Sequence, residues 1–235
     1  MSALLVFVLL AGLAYAIHRR RGPGPGASAD ARARQLRTLR VRLAELLGIR
    51  TIAGQQARRY AAGAAGERAI AAALRPLTRR GWTLLFDRAL PRGRANLDCL
   101  AISPAGAVAV VDAKKWSARY PVTVASGSLL HGRTNVTARL AGLRHEAAVV
   151  AEQLGVAVSA VVVLDGPALH DAGGGEVAFT VLGDITITTR RHASYVLTRL
   201  LDPPHIPRPR DSAARRLATA AGRQFPPYTA RRRTR

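Results

Sequence analysis

Asp112, Ala113 and Lys114 close an apolar run, Ala107–Val111, that reads as a central β-strand buried on both faces. Strand side chains alternate between faces, so Asp112 and Lys114 share one face and Ala113 takes the other. A carboxylate and an ammonium at the end of such a strand cost free energy unless something pairs with them. Metal-dependent phosphodiester chemistry needs both: an acid to hold a divalent cation, and a lysine to orient or activate water. The competing reading is a solvated, inert strand-end ion pair, because charged clusters are also structural.

Asp98 is a second acid, in the strand-like segment Asn96–Ile102. Alternation puts Asn96, Asp98 and Leu100 on one face. Ser103-Pro104-Ala105-Gly106 then supplies a turn, so the two strands are predicted to be antiparallel neighbours with Asp98 facing Asp112. Alone, Asp98 reads equally as a turn or edge acid. Glu67 is a third acid. It lies in a helix predicted over Ala57–Leu77, on the apolar stripe of Tyr60, Ala64, Ile70, Leu74 and Leu77. An acid on the buried face of a helix asks for a partner, and Arg68 or Arg75 could serve. Gly63 and Gly66 flank it, where another backbone can approach closely.

Gly66-Glu67, Leu90-Pro91-Arg92-Gly93, Asn96-Leu97-Asp98 and Val111-Asp112-Ala113-Lys114-Lys115-Trp116 follow in order at compact spacing. In this the chain resembles the nuclease-related domain (NERD) family, of the PD-(D/E)xK nuclease-like superfamily, over about residues 58–201. It departs at Cys99, where a His or another polar residue is expected. The resemblance implies an α/β, restriction-endonuclease-like core: a helix, a three-stranded meander, a second helix and a further strand. It implies catalytic positions at Glu67, Asp98, Asp112 and Lys114. Mg²⁺ or Mn²⁺ would be held by Asp98, Asp112, Glu67 and the Ala113 carbonyl. Hard oxygen donors suit such cations.

The chain has 235 residues and a formal charge of +22. A field of this size attracts nucleic acid or anionic lipid. Lys114 and Lys115 are the only lysines among the 36 basic side chains, so arginine is the default cation here. A lysine with its shiftable pKa is then the more informative choice. The single cysteine, Cys99, excludes an internal disulfide and reads as a small buried hydrophobe. A phosphate-binding Walker loop, a zinc-protease HExxH and paired cysteines are all missing. Aromatic residues look too few and dispersed for a stacking platform.

Ala3–Ile17 is unbroken apolar sequence followed by His18-Arg19-Arg20-Arg21. A membrane anchor over residues 1–18 is preferred to a cleaved signal, although Ala14-Tyr15-Ala16 resembles a cleavage site. The downstream positive charge places the domain on the cytoplasmic side of the cell membrane. Residues 19–29 read as a linker. Residues 30–48 read as one basic amphipathic helix with Asp30 at its N-cap and Leu36, Leu39, Leu43, Leu46 and Leu47 in a stripe. That stripe suits either an anionic membrane surface or packing on the nuclease-like domain, which is assigned residues 57–201.

Further elements are predicted at 122–131 (a strand or hairpin), 136–154 (helix), 158–164 (strand), 176–182 (strand) and 192–201 (helix). Arg139, Arg144 and His145 could reach a phosphate. Residues 202–235 form a Pro- and Arg-rich tail expected to be largely disordered, with a helical turn near 213–220. The expected function is a membrane-tethered, metal-dependent nuclease acting on DNA. The alternatives are a nucleic-acid or partner-binding module at the membrane without turnover, and a scaffold for lipid contact. The oligomeric state is left open.

Overall fold

A computed structural model describes residues 24–92, 95–203 and 212–228. The N-terminal apolar stretch lies outside them, as does most of the predicted anchor and linker. Among the described residues, no helix is long and apolar enough to cross a membrane.

Among the described residues, six helices surround two sheets. They are α1 (Ala27–Leu36), α2 (Leu39–Leu46), α3 (Ile52–Leu74), α4 (Ala141–Leu154), α5 (Ala193–Leu201) and α6 (Ser212–Gln224). The main sheet has strands β1 (Thr83–Ala89), β2 (Asn96–Ile102), β3 (Val108–Lys115), β7 (Val158–Asp165), β9 (Phe179–Leu182) and β10 (Ile185–Thr189), in the order β1-β2-β3-β7-β10-β9. β1, β2 and β3 form an antiparallel meander; β7 lies parallel to β3 after a crossover through α4. The succession α3, meander, α4, β7 is the expected core. A smaller sheet, β6-β5-β4-β8, is built from β4 (Val122–Ala125), β5 (Ser128–His131), β6 (Thr134–Asn135) and β8 (Leu169–His170).

Two apolar layers hold the helices to the main sheet. One face carries Leu100, Val108, Val110 and Val162 against Leu143, Ala147 and Val150 of α4 and against Ala221 and Phe225. The other carries Cys99, Ala109, Val111, Val161 and Val163 against Ile70 and Leu74 of α3 and Leu197 of α5. β3 and β7 are therefore covered on both sides, as their unbroken Val-rich sequences require.

Several element boundaries differ from expectation, for local reasons. α3 begins at a Thr51 cap, whose hydroxyl accepts from the Gly54 N–H at 3.0 Å. It ends at Leu74 and not Leu77, because Pro76 shifts the chain into a 3-10 turn over Arg75–Arg80. The predicted 30–48 helix is two helices. The first starts at Ala27, inside the predicted linker, with Gly26 at φ 75° in place of an Asp30 cap. The second starts after Thr38, whose hydroxyl accepts from Val41 N–H. Residues 137–140 form a 3-10 turn before α4.

The tail departs furthest from expectation: α6 spans 13 residues and its end buries Ala221 and Phe225 completely. The next residues pin the β1 edge, with Ala89 N–H donating to the Pro226 carbonyl at 2.8 Å. This covers backbone that an exposed edge strand would present to other chains.

Candidate metal and nuclease site

The β2–β3 ladder places Cys99 opposite Val111 and extends no further toward Asp112. Beyond that pair the strands no longer share backbone bonds. The Asp98 carboxylate takes over, accepting the Ala113 N–H at 2.9 Å. Asp98 thus closes onto β3 at the residue next to Asp112, where the sheet opens. Alternation along β2 is not perfect: Leu97 and Leu100 lie in the same core layer. The irregularity is shared by β1, where Asp87 adopts φ 50° and drops out of the pairing with β2.

On β3, Lys114 Nζ lies 2.7 Å from one Asp112 oxygen and 2.6 Å from the other. Both side chains leave the same face, as alternation requires. Burial pulls the Lys114 pKa down, but Asp112 outweighs it and holds the ammonium above its usual value. Lys115 leaves the opposite face, pairs with buried Asp165 at 2.6 Å and packs its methylenes over Gly66. A Cβ at Gly66 would fall 2.8 Å from Lys115 Cβ, whereas one at Gly63 would meet nothing. Close approach is thus required at Gly66 alone, and it is to a side chain rather than to a backbone.

α3 delivers Glu67. Arg68 pairs with Asp30 instead, and Glu67 Oε2 is buried without any hydrogen-bond partner among the described residues. Burial pushes the Glu67 pKa up from 4.5 to about 7, helped by Asp87, Asp112 and Asp30 and opposed by the Gly26 N–H. Asp98 is pushed well above the usual carboxylate range by burial first, then by Asp112 and Glu67. Glu67, Asp98 and Asp112 therefore feel one another across a small volume.

Two further acids were not singled out from sequence. Asp87 is fully buried, and accepts from the Ser28 N–H at 2.8 Å and Asn96 Nδ2 at 3.1 Å. It ties α1 to β1. Glu146 on α4 has its pKa raised from 4.5 to about 7 by burial and then by Asp112, with Lys114 opposing. A signal for Glu146 existed: it follows Leu143 by three and precedes Val150 by four on the inward face of α4.

The other residues considered have different roles. Arg144 pairs with Asp184 at 2.7 Å. Arg139 lies 5.7 Å over the Trp116 ring. Trp116 in turn stacks on His131, and Tyr120 meets His131 edge-on. The fold thus gathers aromatic rings, just past the end of β3, that looked dispersed in the sequence. Cys99 is a buried free thiol whose pKa burial pushes up, so it behaves as a small apolar side chain.

Residues 62–164 match the family described as nuclease-related domain. Over that segment the chain is similar to the nuclease-related domain (NERD) family. The NERD family lies within the PD-(D/E)xK nuclease-like superfamily, whose domains typically use divalent metals. The matched segment contains Glu67, Asp98, Asp112, Ala113, Lys114 and Glu146 and omits α1, α2, α5 and α6. No curated protein and no solved structure matches the chain.

The residues fit a hard divalent cation in donor type and burial. They offer carboxylate oxygens and the Ala113 carbonyl, and one of the carboxylate oxygens, Glu67 Oε2, is buried without a hydrogen-bond partner among the described residues. Among the described residues, however, the acids do not converge as a preformed metal cluster. Asp112 is turned to Lys114 and Asp98 to the Ala113 N–H. Both contacts lower the repulsion between crowded carboxylates.

Proposed function

We propose that this chain is a metal-dependent nuclease that hydrolyses phosphodiester bonds in DNA and works at an anionic membrane surface. The observation that supports the catalytic part is that Asp98 bonds the Ala113 N–H between Asp112 and Lys114 where β2 and β3 separate, with the charge of Glu67 acting on Asp98. Asp98, Asp112, Glu67 and the Ala113 carbonyl would hold Mg²⁺ or Mn²⁺. When bound, the cation supplies Lewis-acid activation of the phosphodiester and of the attacking water. Lys114 would orient the attacking water and donate hydrogen bonds to negative charge developing on phosphate.

The test is cleavage of linear, circular and single-stranded DNA with Mg²⁺, Mn²⁺ or EDTA, beside Lys114→Ala. The proposal requires metal-dependent cleavage that the variant loses while its fold persists. Full activity in the variant would sink the mechanism.

The closed Asp112–Lys114 pair favours one second reading, a nucleic-acid-binding module without turnover. It requires salt-sensitive DNA binding that survives Asp112→Asn, with no cleavage by the unaltered chain.

The membrane part rests on α2. Leu39, Leu43, Leu46 and Leu47 are each more than half exposed, and of the α2 side chains only Val41 is buried. These four leucines of the stripe therefore do not pack on the nuclease-like domain, whereas Leu36 on α1 is half-buried. With Arg37, Arg40 and Arg42 beside it, this is the surface a basic amphipathic helix offers to anionic headgroups. Sedimentation with anionic but not neutral vesicles would support it. The N-terminal anchor and a cytoplasmic-side domain remain part of this proposal.

A further inference from the structure

A cavity of about 300 Å³ opens beside the acids, between α1, α3 and the C-terminal segment. Glu67 and Asp98 form one part of its lining; Arg32, Arg59, Tyr60 and Tyr228 form another. All four of the latter lie outside the segment that matches the nuclease-related domain. This chain's own flanking segments therefore add a wall of cations and phenols to the acid cluster.

That wall is built, and among the described residues no carboxylate forms an ion pair with its arginines. Arg32 sits 5.8 Å over the Tyr60 ring, with Nη1 donating to the Tyr60 hydroxyl at 3.5 Å. Its hydrogen bonds to Tyr60 and Tyr228 raise its pKa further. Arg59 is exposed and makes no ion pair with a described residue. Both supporting segments are fixed. Gly26 packs so closely on Ala64 that a Cβ would lie 2.7 Å from the Ala64 carbonyl oxygen. Pro227 bridges to Arg88 at the β1 edge. Two arginines with phenol rings suit a phosphate and a base or sugar face. The volume, at the lower end of small-molecule sites, matches one nucleotide and not a duplex.

We propose that this cavity seats the terminal nucleotide of a nucleic-acid strand, with its phosphate on Arg32 and Arg59 and its base or sugar against Tyr60 and Tyr228. The proposal rests on the nuclease reading for the acid wall and adds a substrate class: strands with a free end. The acids would then lie within about one nucleotide of the strand terminus.

The test uses the full chain and two readouts. Binding is followed with an internally labelled single-stranded oligonucleotide, linear or circular with the same sequence, in Mg²⁺ on a Lys114→Ala background. Arg59→Ala should weaken the linear form about tenfold, the loss of one charge-assisted contact, and leave the circular form unchanged. Arg59→Lys should recover part of the loss. A loss equal for both forms, or none for the linear form, overturns the proposal. Nucleoside monophosphate is the competing source of the same chemistry. Binding of the free nucleotide as tight as the linear strand would assign the cavity to free nucleotides and overturn strand-end recognition. Cleavage by the unaltered chain is scored separately. End-dependent binding without any cleavage would remove the catalytic reading and keep the cavity assignment; cleavage without end-dependence would do the reverse.

Discussion

Glu67→Gln should remove a large part of the pH dependence of stability in the cation-free protein. In the fold, the Glu67 pKa is raised from 4.5 to about 7. The folded state thus binds this proton more tightly than the unfolded chain does. The associated stability is fully present below about pH 4.5 and is lost as pH rises through about 7. At about 1.4 kcal/mol per tenfold change, the loss is on the order of 3 kcal/mol. For a domain of this size that corresponds to a fall in Tm on the order of 10 °C.

The assay is thermal and urea unfolding in EDTA at pH 5 and pH 8, for the unaltered chain and Glu67→Gln. The unaltered chain should be less stable at pH 8. The variant should fall by less, because glutamine carries no charge to desolvate. Glu146 retains its own share of the slope. Saturating Mg²⁺ at pH 8 should recover stability in the unaltered chain, by about 2.7 kcal/mol at a hundredfold excess over Kd. An equal fall in both proteins would refute the claim that burial beside Asp87 and Asp112 controls this carboxyl.

Glu146→Gln should also lessen the fall in stability between pH 5 and pH 8 in EDTA, since burial raises the Glu146 pKa from 4.5 to about 7; an unchanged fall in urea titrations would refute that burial controls this carboxyl. Gly66→Ala should destabilise by about 1–3 kcal/mol through contact with Lys115, while Gly63→Ala, facing open space, should stabilise by up to about 1 kcal/mol; equal effects in urea titrations would contradict the packing. Phe225→Ala should cost about 3–5 kcal/mol, measured by the same titration, and a near-neutral result would show that the C-terminal segment does not complete the core.

The acids at the strand ends were readable because a Ser-Pro-Ala-Gly turn makes their strands antiparallel neighbours, although alternation fails along β2. The apolar run of β3 also announced burial on both faces. Glu67 was readable from helical spacing. Asp87 was not, because its role depends on a positive φ and on an N–H from Ser28, nearly sixty residues away in sequence. Strand β10, Ile-Thr-Ile-Thr-Thr, escaped because it is short and follows a turn at Gly183-Asp184. The tail misled through composition. Arginine and proline suggested a solvated segment, yet Leu217, Ala218, Ala221 and Phe225 make one apolar face that the core accepts. The cavity wall was unreadable because Arg32, Arg59 and Tyr228 meet only through tertiary structure.

The pairing of Ala89 with Pro226 also sets an order of events during synthesis. Domains are completed as the chain emerges from its N-terminus, and contacts this distant in sequence close last. The meander, α3, α4 and β7 can assemble while residue 226 is still unmade. The nascent protein therefore passes through an interval in which the acids are gathered but Phe225 has not filled its place and Tyr228 has not reached the cavity. Both the sealing of the β1 edge and the far wall of the cavity wait until residues 226–228 have been made.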